Sequence, residues 1–178
     1  IMKKILVINT GGTISMSEDH TTGKVSPNKE NPINEGGNIF SYIGDIDVEV
    51  LYNLPSPQIT ENEMLGIKLR ILKAVEEGYK GVVITHGTDT LEETAYYLEL
   101  TLDVNIPIVV TGAMRSSNEI GSDGLANLRS ALVVAASDES VDKGVLVVMN
   151  DEAHTATYVT KTHTTNVATF QTPTFGPV

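Results

Sequence analysis

Lys3-Lys4-Ile5-Leu6-Val7-Ile8-Asn9-Thr10-Gly11-Gly12-Thr13-Ile14 carries both the first strand signal and the first candidate site of the chain. The unbroken apolar run from Ile5 to Ile8, rich in β-branched residues, predicts a strand buried on both faces of a sheet. It ends in a hydroxyl, two glycines and a second hydroxyl. Paired glycines adopt backbone angles closed to other residues and let a ligand approach the main chain. Thr13 then falls just past a strand's carboxyl end, where ligands bind in open α/β sheets. A plain strand-to-loop turn uses Gly-Gly as well. The ending recurs, however. Gly81-Val82-Val83-Ile84-Thr85 runs into His86-Gly87-Thr88-Asp89-Thr90, and Ile108-Val109-Val110-Thr111 into Gly112-Ala113-Met114-Arg115. Three such endings in one chain exceed what turn-making needs.

Outward from these strands, helical and extended patterns alternate. Thr13 is followed by a polar stretch, Ser15 to Lys24, that reads as a mobile surface loop, and its place behind a candidate nucleophile suggests a lid. Asn34 to Ile43 is compatible with a short helix, and Val48 to Leu54 alternates like a strand stopped by Pro55-Ser56-Pro57. Thr60 and Glu63 have capping-box spacing and open a helix running to about Glu77, with Met64, Ile67, Ile71, Leu72 and Val75 on its apolar face and Gly78 as its stop. The spacing predicts a strand over 81–85, a helix from Thr90 to about Leu102, a strand over 107–111, a helix from Gly124 to Ala136 and a strand over 144–149. Thr- and Val-rich segments in 151–178 fit a hairpin. The fold class is α/β: a three-layer, open, mainly parallel sheet with helices on both faces, right-handed crossovers and an active site at the strand carboxyl ends.

With 178 residues the chain has the length of one domain and room for a substantial core. Twelve basic and 23 acidic residues leave a net charge of −11. That sign opposes phosphate backbones and anionic membrane surfaces, so neither nucleic acid nor a membrane is an expected partner. The chain has no cysteine, which excludes disulfides and thiol chemistry. Met2-Lys3-Lys4 imitates the start of a signal peptide, but the apolar run breaks at Asn9 and is too short for one. A cytoplasmic location is expected.

Asn-Thr-Gly-Gly-Thr is neither a P-loop nor a dinucleotide fingerprint, since no Lys-Ser/Thr follows it and no G-x-G-x-x-G opens a helix. What it holds is a hydroxyl beside glycine amides, the parts of a nucleophile and an oxyanion hole. Two readings stand for Thr88-Asp89-Thr90. Thr90 with Glu93 has capping-box spacing, and Asp89 with Glu92 suits a helix dipole; equally, Asp89 there can receive a ligand's ammonium group. Lys161 in Tyr158-Val159-Thr160-Lys161-Thr162-His163 suits a solvated strand face, or a proton acceptor between a threonine and a carboxylate. His86, His154 and His163 lack metal-ligand spacing and His20 lies in the loop, so no metal or other cofactor is expected. His86 reads as a hydrogen-bonded core residue. Arg115 to Gly124, with Ser116, Ser117, Asn118, Glu119 and Asp123, suits an interface or a loop.

Thr10-Gly11-Gly12-Thr13-Ile14, His86-Gly87-Thr88-Asp89-Thr90, Thr111-Gly112-Ala113-Met114-Arg115, and Lys161-Thr162 ahead of Ala168-Thr169-Phe170 together resemble the bacterial L-asparaginase/glutaminase family over nearly the whole chain. The resemblance implies that Thr13 attacks the side-chain amide of L-asparagine, forms an acyl-enzyme and releases ammonia, while Thr88, Asp89 and Lys161 form a second essential cluster. It implies that Asp89 holds the substrate's α-ammonium, that Ser56 and nearby amides hold its α-carboxylate, and that Gly12, Gly87, Thr88 and Ala113 line the rest. Two departures stand out. The family's lid tyrosine aligns with His20, and Pro57 follows Ser56 where related sequences commonly have a polar residue. Family members are two-domain homodimers or homotetramers nearly twice as long. Residues 1–178 therefore read as the N-terminal catalytic domain, with a site completed by the C-terminal domain of a neighbouring subunit. Outside this class stand a non-catalytic amino-acid-binding domain and the asparaginase-like subunit of a tRNA-dependent amidotransferase. Preference between asparagine and glutamine turns on a methylene, about 1–3 kcal/mol, which the sequence does not resolve.

Overall fold

The computed structural model describes residues 1–12, 16–18, 25–27, 39–117, 119–161, 170–171 and 177–178, with 16–18, 25–27, 160–161 and 170–171 described as backbone. Its centre is a six-stranded sheet of β1 (Lys4–Asn9), β4 (Asp45–Val50), β5 (Gly81–Thr85), β6 (Ile108–Thr111), β7 (Val145–Met149) and β8 (Glu152–Thr155), ordered β4-β1-β5-β6-β7-β8. Every pair is parallel except β7 with β8. Outside it lie two short antiparallel pairs, β2 (Met16–Glu18) with β3 (Val25–Pro27) and β9 (Thr160–Lys161) with β10 (Phe170–Gln171). The first puts paired strands where the polar stretch predicts only a loop. The second fits the expected hairpin in the tail.

Among the described residues three helices cover the sheet: α1 (Glu61–Glu76), α2 (Leu91–Thr101) and α3 (Gly124–Ala136). Alternation along the strands sorts the core into two layers. Leu6, Ile8, Val82, Ile84, Ile108, Val110, Val145 and Val147 face Ile67 and Ile71 of α1 and Leu91, Ala95 and Leu98 of α2. Ile5, Val7, Val83, Val109 and Val148 face Leu128, Ala131, Leu132 and Ala135 of α3. The three-layer architecture is therefore as the sequence predicts.

The handedness is not. Steps from β4 to β5, β5 to β6 and β6 to β7 advance in the same direction across the sheet, yet α1 and α2 lie on one face and α3 on the other. Parallel crossovers that advance together with helices on opposite faces have opposite hands, so the α3 connection departs from the uniformly right-handed set. Burial supplies the reason. β5, β6 and β7 are buried along their whole length on both faces. Had α3 joined α1 and α2, the β-branched face around Val83 and Val109 would lie open to water.

Element ends show where local chemistry decides. The Glu63 carboxylate accepts the Thr60 backbone N–H at 2.8 Å, and the capping box forms as its spacing predicts. β4 spans Asp45–Val50, earlier than the expected 48–54. After Val50 the chain leaves the ladder: Leu51 N–H still reaches the Asn9 carbonyl, and Leu54 N–H reaches Thr10. Segment 51–54 thus curls over the end of β1 and delivers Ser56 to a short 3-10 turn, Ser56–Gln58. Of the expected helix from Asn34 to Ile43, 34–38 lie outside the described residues; Ile39 is helical and 40–43 form a turn, with Ile43 N–H on the Phe40 carbonyl. Asn150 and Asp151, both at positive φ, make the two-residue turn between β7 and β8.

Ile67 is fully buried between α1 and the sheet. Ile67→Ala is expected to lower unfolding free energy by about 2–5 kcal/mol in urea denaturation, the range for truncating a large core aliphatic. A loss below about 1 kcal/mol would show that this interface is loosely packed.

Candidate active site

The parallel register aligns the carboxyl ends of three strands, with Asn9 opposite Thr85 and Thr85 opposite Thr111. All three are buried, so each polar group needs a partner. The Thr85 hydroxyl donates to Asn9 Oδ1 at 3.1 Å, and the same oxygen accepts the Gly11 N–H at 2.9 Å. Thr10 donates its hydroxyl to the Thr85 carbonyl at 2.8 Å, and Thr111 donates to Val148 at 2.7 Å. A closed polar row thus ties the strand ends together below the loops that leave them.

Above it the loops touch backbone to backbone. Gly11 and Gly12 hold φ of 110° and 87°, in the region that favours glycine. A Cβ on Gly12 would collide with the Gly87 backbone, and one on Gly87 would lie 2.6 Å from Ser56 Cβ and 2.9 Å from its Oγ. A Cβ on Gly112 would meet the His86 carbonyl and lie 3.3 Å from Thr88 Cγ2. Gly12, Gly87, Ser56, Thr88 and Gly112 are therefore one contact cluster drawn from four loops. Ser56 is buried at the head of its 3-10 turn, and Pro57 fits the first turn, where its fixed φ is suited and no N–H is missed.

His86 is fully buried beneath this cluster. Its Nδ1 meets the Gly87 carbonyl at 2.7 Å and its Nε2 meets the Thr94 hydroxyl at 2.8 Å. A carbonyl only accepts, so Nδ1 carries the proton and Nε2 accepts from Thr94. Burial lowers the His86 pKa below its ordinary 6.5, against the smaller opposing effect of the bond to Gly87. His86 is the hydrogen-bonded core residue that the sequence predicts, and it orients the peptide leading to Thr88.

Thr88 is buried and Asp89 is exposed at the start of α2. Thr90 makes no side-chain cap to α2; its hydroxyl donates instead to the Ser56 carbonyl at 2.8 Å. The capping-box expectation for Thr90 and Glu93 is thereby corrected. The hydroxyl joins the Ile59 N–H on the Ser56 carbonyl of the neighbouring loop and fastens the Ser56 turn to the Thr88 loop.

Ala113 is buried one residue beyond Gly112. Met114 and Arg115 donate their N–H groups to the Asp123 carboxylate at 3.0–3.1 Å, and Asn127 Nδ2 donates to the Gly112 carbonyl at 3.0 Å. Met114 and Arg115 are thereby tied back to the first turn of α3.

The structure brings Gly12, Ser56, Gly87, Thr88 and Gly112 together, with Ala113 next to Gly112 and Asp89 next to Thr88 in the chain. Thr13 and His20 lie outside the described residues, and Lys161 is described only as backbone in β9. Asn9, Thr94 and Asn127 also brace the site and do not stand out in the sequence as site residues. A polar residue inside an apolar run was the available signal for Asn127, which sits among Leu125, Leu128, Ala131 and Leu132. Among the described residues no three His, Cys, Asp or Glu side chains gather as a metal site, and no helix is long and apolar enough to cross a membrane.

Residues 4–178 match the sequence profile of the family described as Asparaginase, N-terminal. The chain is 40% identical to "L-asparaginase 2" of Escherichia coli (strain K12), covering 99% of this chain and 51% of that protein. It is 39% identical to "Probable L-asparaginase periplasmic" of Haemophilus influenzae, covering 98% and 51%. The crystal structure of a probable cytoplasmic L-asparaginase from Campylobacter jejuni superposes with a TM-score of 0.92 at 38% identity, covering 98% of this chain and 54% of that one. The chain spans about half the length of these relatives.

Two outcomes follow from this geometry. Gly87→Ala should cost about 1–3 kcal/mol in urea denaturation, because a methyl there meets the Ser56 turn and overpacked sites lose that much. An unchanged midpoint would mean the two loops are not in contact. For His86, the unfolded chain takes up a proton near 6.5 and the folded chain only at lower pH, so the unfolded state binds more protons in between. Stability should fall as pH drops below about 6.5, with less slope in His86→Gln. Equal slopes in both proteins would show that the imidazole is not held neutral.

Proposed function

Because the chain belongs to the Asparaginase, N-terminal family, we propose that it carries the reacting groups of an L-asparaginase, which hydrolyses L-asparagine to L-aspartate and ammonia. The observation that carries this reading is the joining of Gly12, Gly87, Thr88 and Ser56 in one cluster at the strand carboxyl ends. It joins glycine backbone to the buried Thr88, and the exposed carboxylate of Asp89 follows Thr88 in the chain. The names of the relatives support the same substrate class.

In this reading Thr13 Oγ attacks the side-chain amide carbon and its proton passes to a base. The oxyanion is held by main-chain N–H groups of the cluster, the kind of preorganised donor whose loss costs about 10²–10³ in rate. The C–N bond then breaks, nitrogen takes a proton and leaves as ammonia, and an aspartyl ester remains on Thr13. Water attacks that ester, its proton passes through Thr88 to Lys161, and aspartate leaves with the Thr13 hydroxyl restored. Asp89 holds the α-ammonium, Ser56 and its neighbouring amides the α-carboxylate, and Ala113 the amide end. The chemistry uses no cofactor. We read the chain as the N-terminal catalytic portion of a longer cytoplasmic homo-oligomer whose remaining half completes the pocket, in keeping with the lengths of the relatives.

The test is ammonia release from asparagine by the full-length enzyme and its variants. Thr13→Ala and Thr88→Val should each lose more than about 10²-fold while remaining folded, since each removes a group that reacts or relays a proton. Lys161→Met should lower the rate strongly, and Asp89→Asn should raise KM as well. Retention of more than about a tenth of wild-type activity by Thr13→Ala, a difference below about 1.4 kcal/mol, would overturn the nucleophile assignment. Aspartate binding by a wild-type enzyme that releases no ammonia would instead favour an amino-acid-binding domain.

A further inference from the structure

We propose that Asp123 and Asn127 are positioning residues of this site, a clamp that sets the direction of both main-chain polar groups of Ala113. Asp123 is the N-cap residue of α3, yet its side chain makes no cap bond to the helix. Its carboxylate turns back to the loop instead. Oδ1 accepts from Met114 N at 3.1 Å and Arg115 N at 3.0 Å, and Oδ2 accepts from Met114 N at 3.0 Å and Asn127 Nδ2 at 3.1 Å. Asn127, one helical turn on, is buried on the apolar face of α3. Its Nδ2 also donates to the Gly112 carbonyl at 3.0 Å, and its Oδ1 accepts the Asn150 N–H at 3.1 Å.

Peptide planarity turns these bonds into a statement about Ala113. In a trans peptide the N–H and C=O point in opposite directions. The Gly112 carbonyl is held on Asn127, so the Ala113 N–H of the same peptide points away from it. Likewise the Met114 N–H is held on Asp123, so the Ala113 carbonyl points away from Asp123. Both polar groups of Ala113 are thus turned away from the first turn of α3. Gly112, next in the chain, lies against Thr88. Neither residue is placed as helix stability alone would place it. Asp at an N-cap ordinarily caps its helix, and a buried Asn on an apolar face is tolerated only when its amide is satisfied. Here cap and amide are both spent on the loop.

This inference rests on the reading of Ala113 as the group that meets the scissile amide. The test uses the full-length enzyme with two near-isosteric variants, Asn127→Asp and Asp123→Asn, beside Ser130→Ala. Ser130 Oγ donates to Asp151 Oδ1 at 2.9 Å and ties the same helix to the same turn without touching the loop. Asn127→Asp and Asp123→Asn should each lower kcat for asparagine at least tenfold, at a temperature where both remain folded, with KM changing less than about threefold, the pattern of an interaction that strengthens toward the transition state. In the same variants the Met114 and Arg115 amide protons should exchange faster, whereas Ser130→Ala should match wild type in kcat. A kcat within twofold of wild type in both clamp variants, or losses that merely track the unfolded fraction, would overturn the clamp while leaving the asparaginase reading intact. A wild-type enzyme releasing no ammonia would overturn that reading and this inference with it.

Discussion

Gly12 against Gly87, and Gly87 against Ser56, is the contact on which the remaining structure of the site depends. Backbones of different loops approach this closely only where no side chain intervenes, so two positions must be glycine for the loops to meet. Around that contact four side chains hold the loops in place. Asn9 fixes Gly11, His86 fixes Gly87, Thr90 fixes Ser56, and Asn127 fixes Gly112. The strand ends are thus braced from beneath by side chains that do not themselves belong to the reacting set, as preorganisation of a site requires.

The sheet imposes the second constraint. Strands apolar on both faces demand cover on both, and among the described residues α3 packs on one of them, with Phe40 and Ile43 at its side. Putting it there sets the odd hand of the β6-to-β7 crossover. It also carries the first turn of α3, with Asp123 and Asn127, beneath the loop that leaves β6. Core burial and site geometry are in this way linked through a single helix.

Much of the architecture is legible because it follows from periodicity. Unbroken Val/Ile runs give the central strands, and the 3.6-residue spacing of Met64, Ile67 and Ile71 with a capping box gives α1 to within a residue. The register of β4 is not legible, because alternation continues past Val50 while the chain has already left the ladder to reach Thr10. Nor is the hand of the α3 crossover, a property of which face remains uncovered rather than of any local pattern. At the site, glycines and hydroxyls after strands announce Gly12, Gly87 and Thr88. The braces do not announce themselves. Thr90 has the spacing of a cap and spends its hydroxyl elsewhere, and Asn127 looks like a polar lapse in an apolar helix. Their partners are distant in sequence, 34 residues away for Thr90 and 15 for Asn127 to Gly112.

The chemistry proposed for these strand ends is the splitting of an amide through an ester on Thr13. Intact-mass and peptide-level mass spectrometry of the full-length enzyme, acid-quenched during turnover of asparagine, tests it most directly. One aspartyl group is expected covalently attached per active subunit, located on the peptide that contains Thr13 and absent from the Thr13→Ala variant. Ammonia release with no covalent adduct at any quench time, or with the adduct on Thr88 instead, would contradict it.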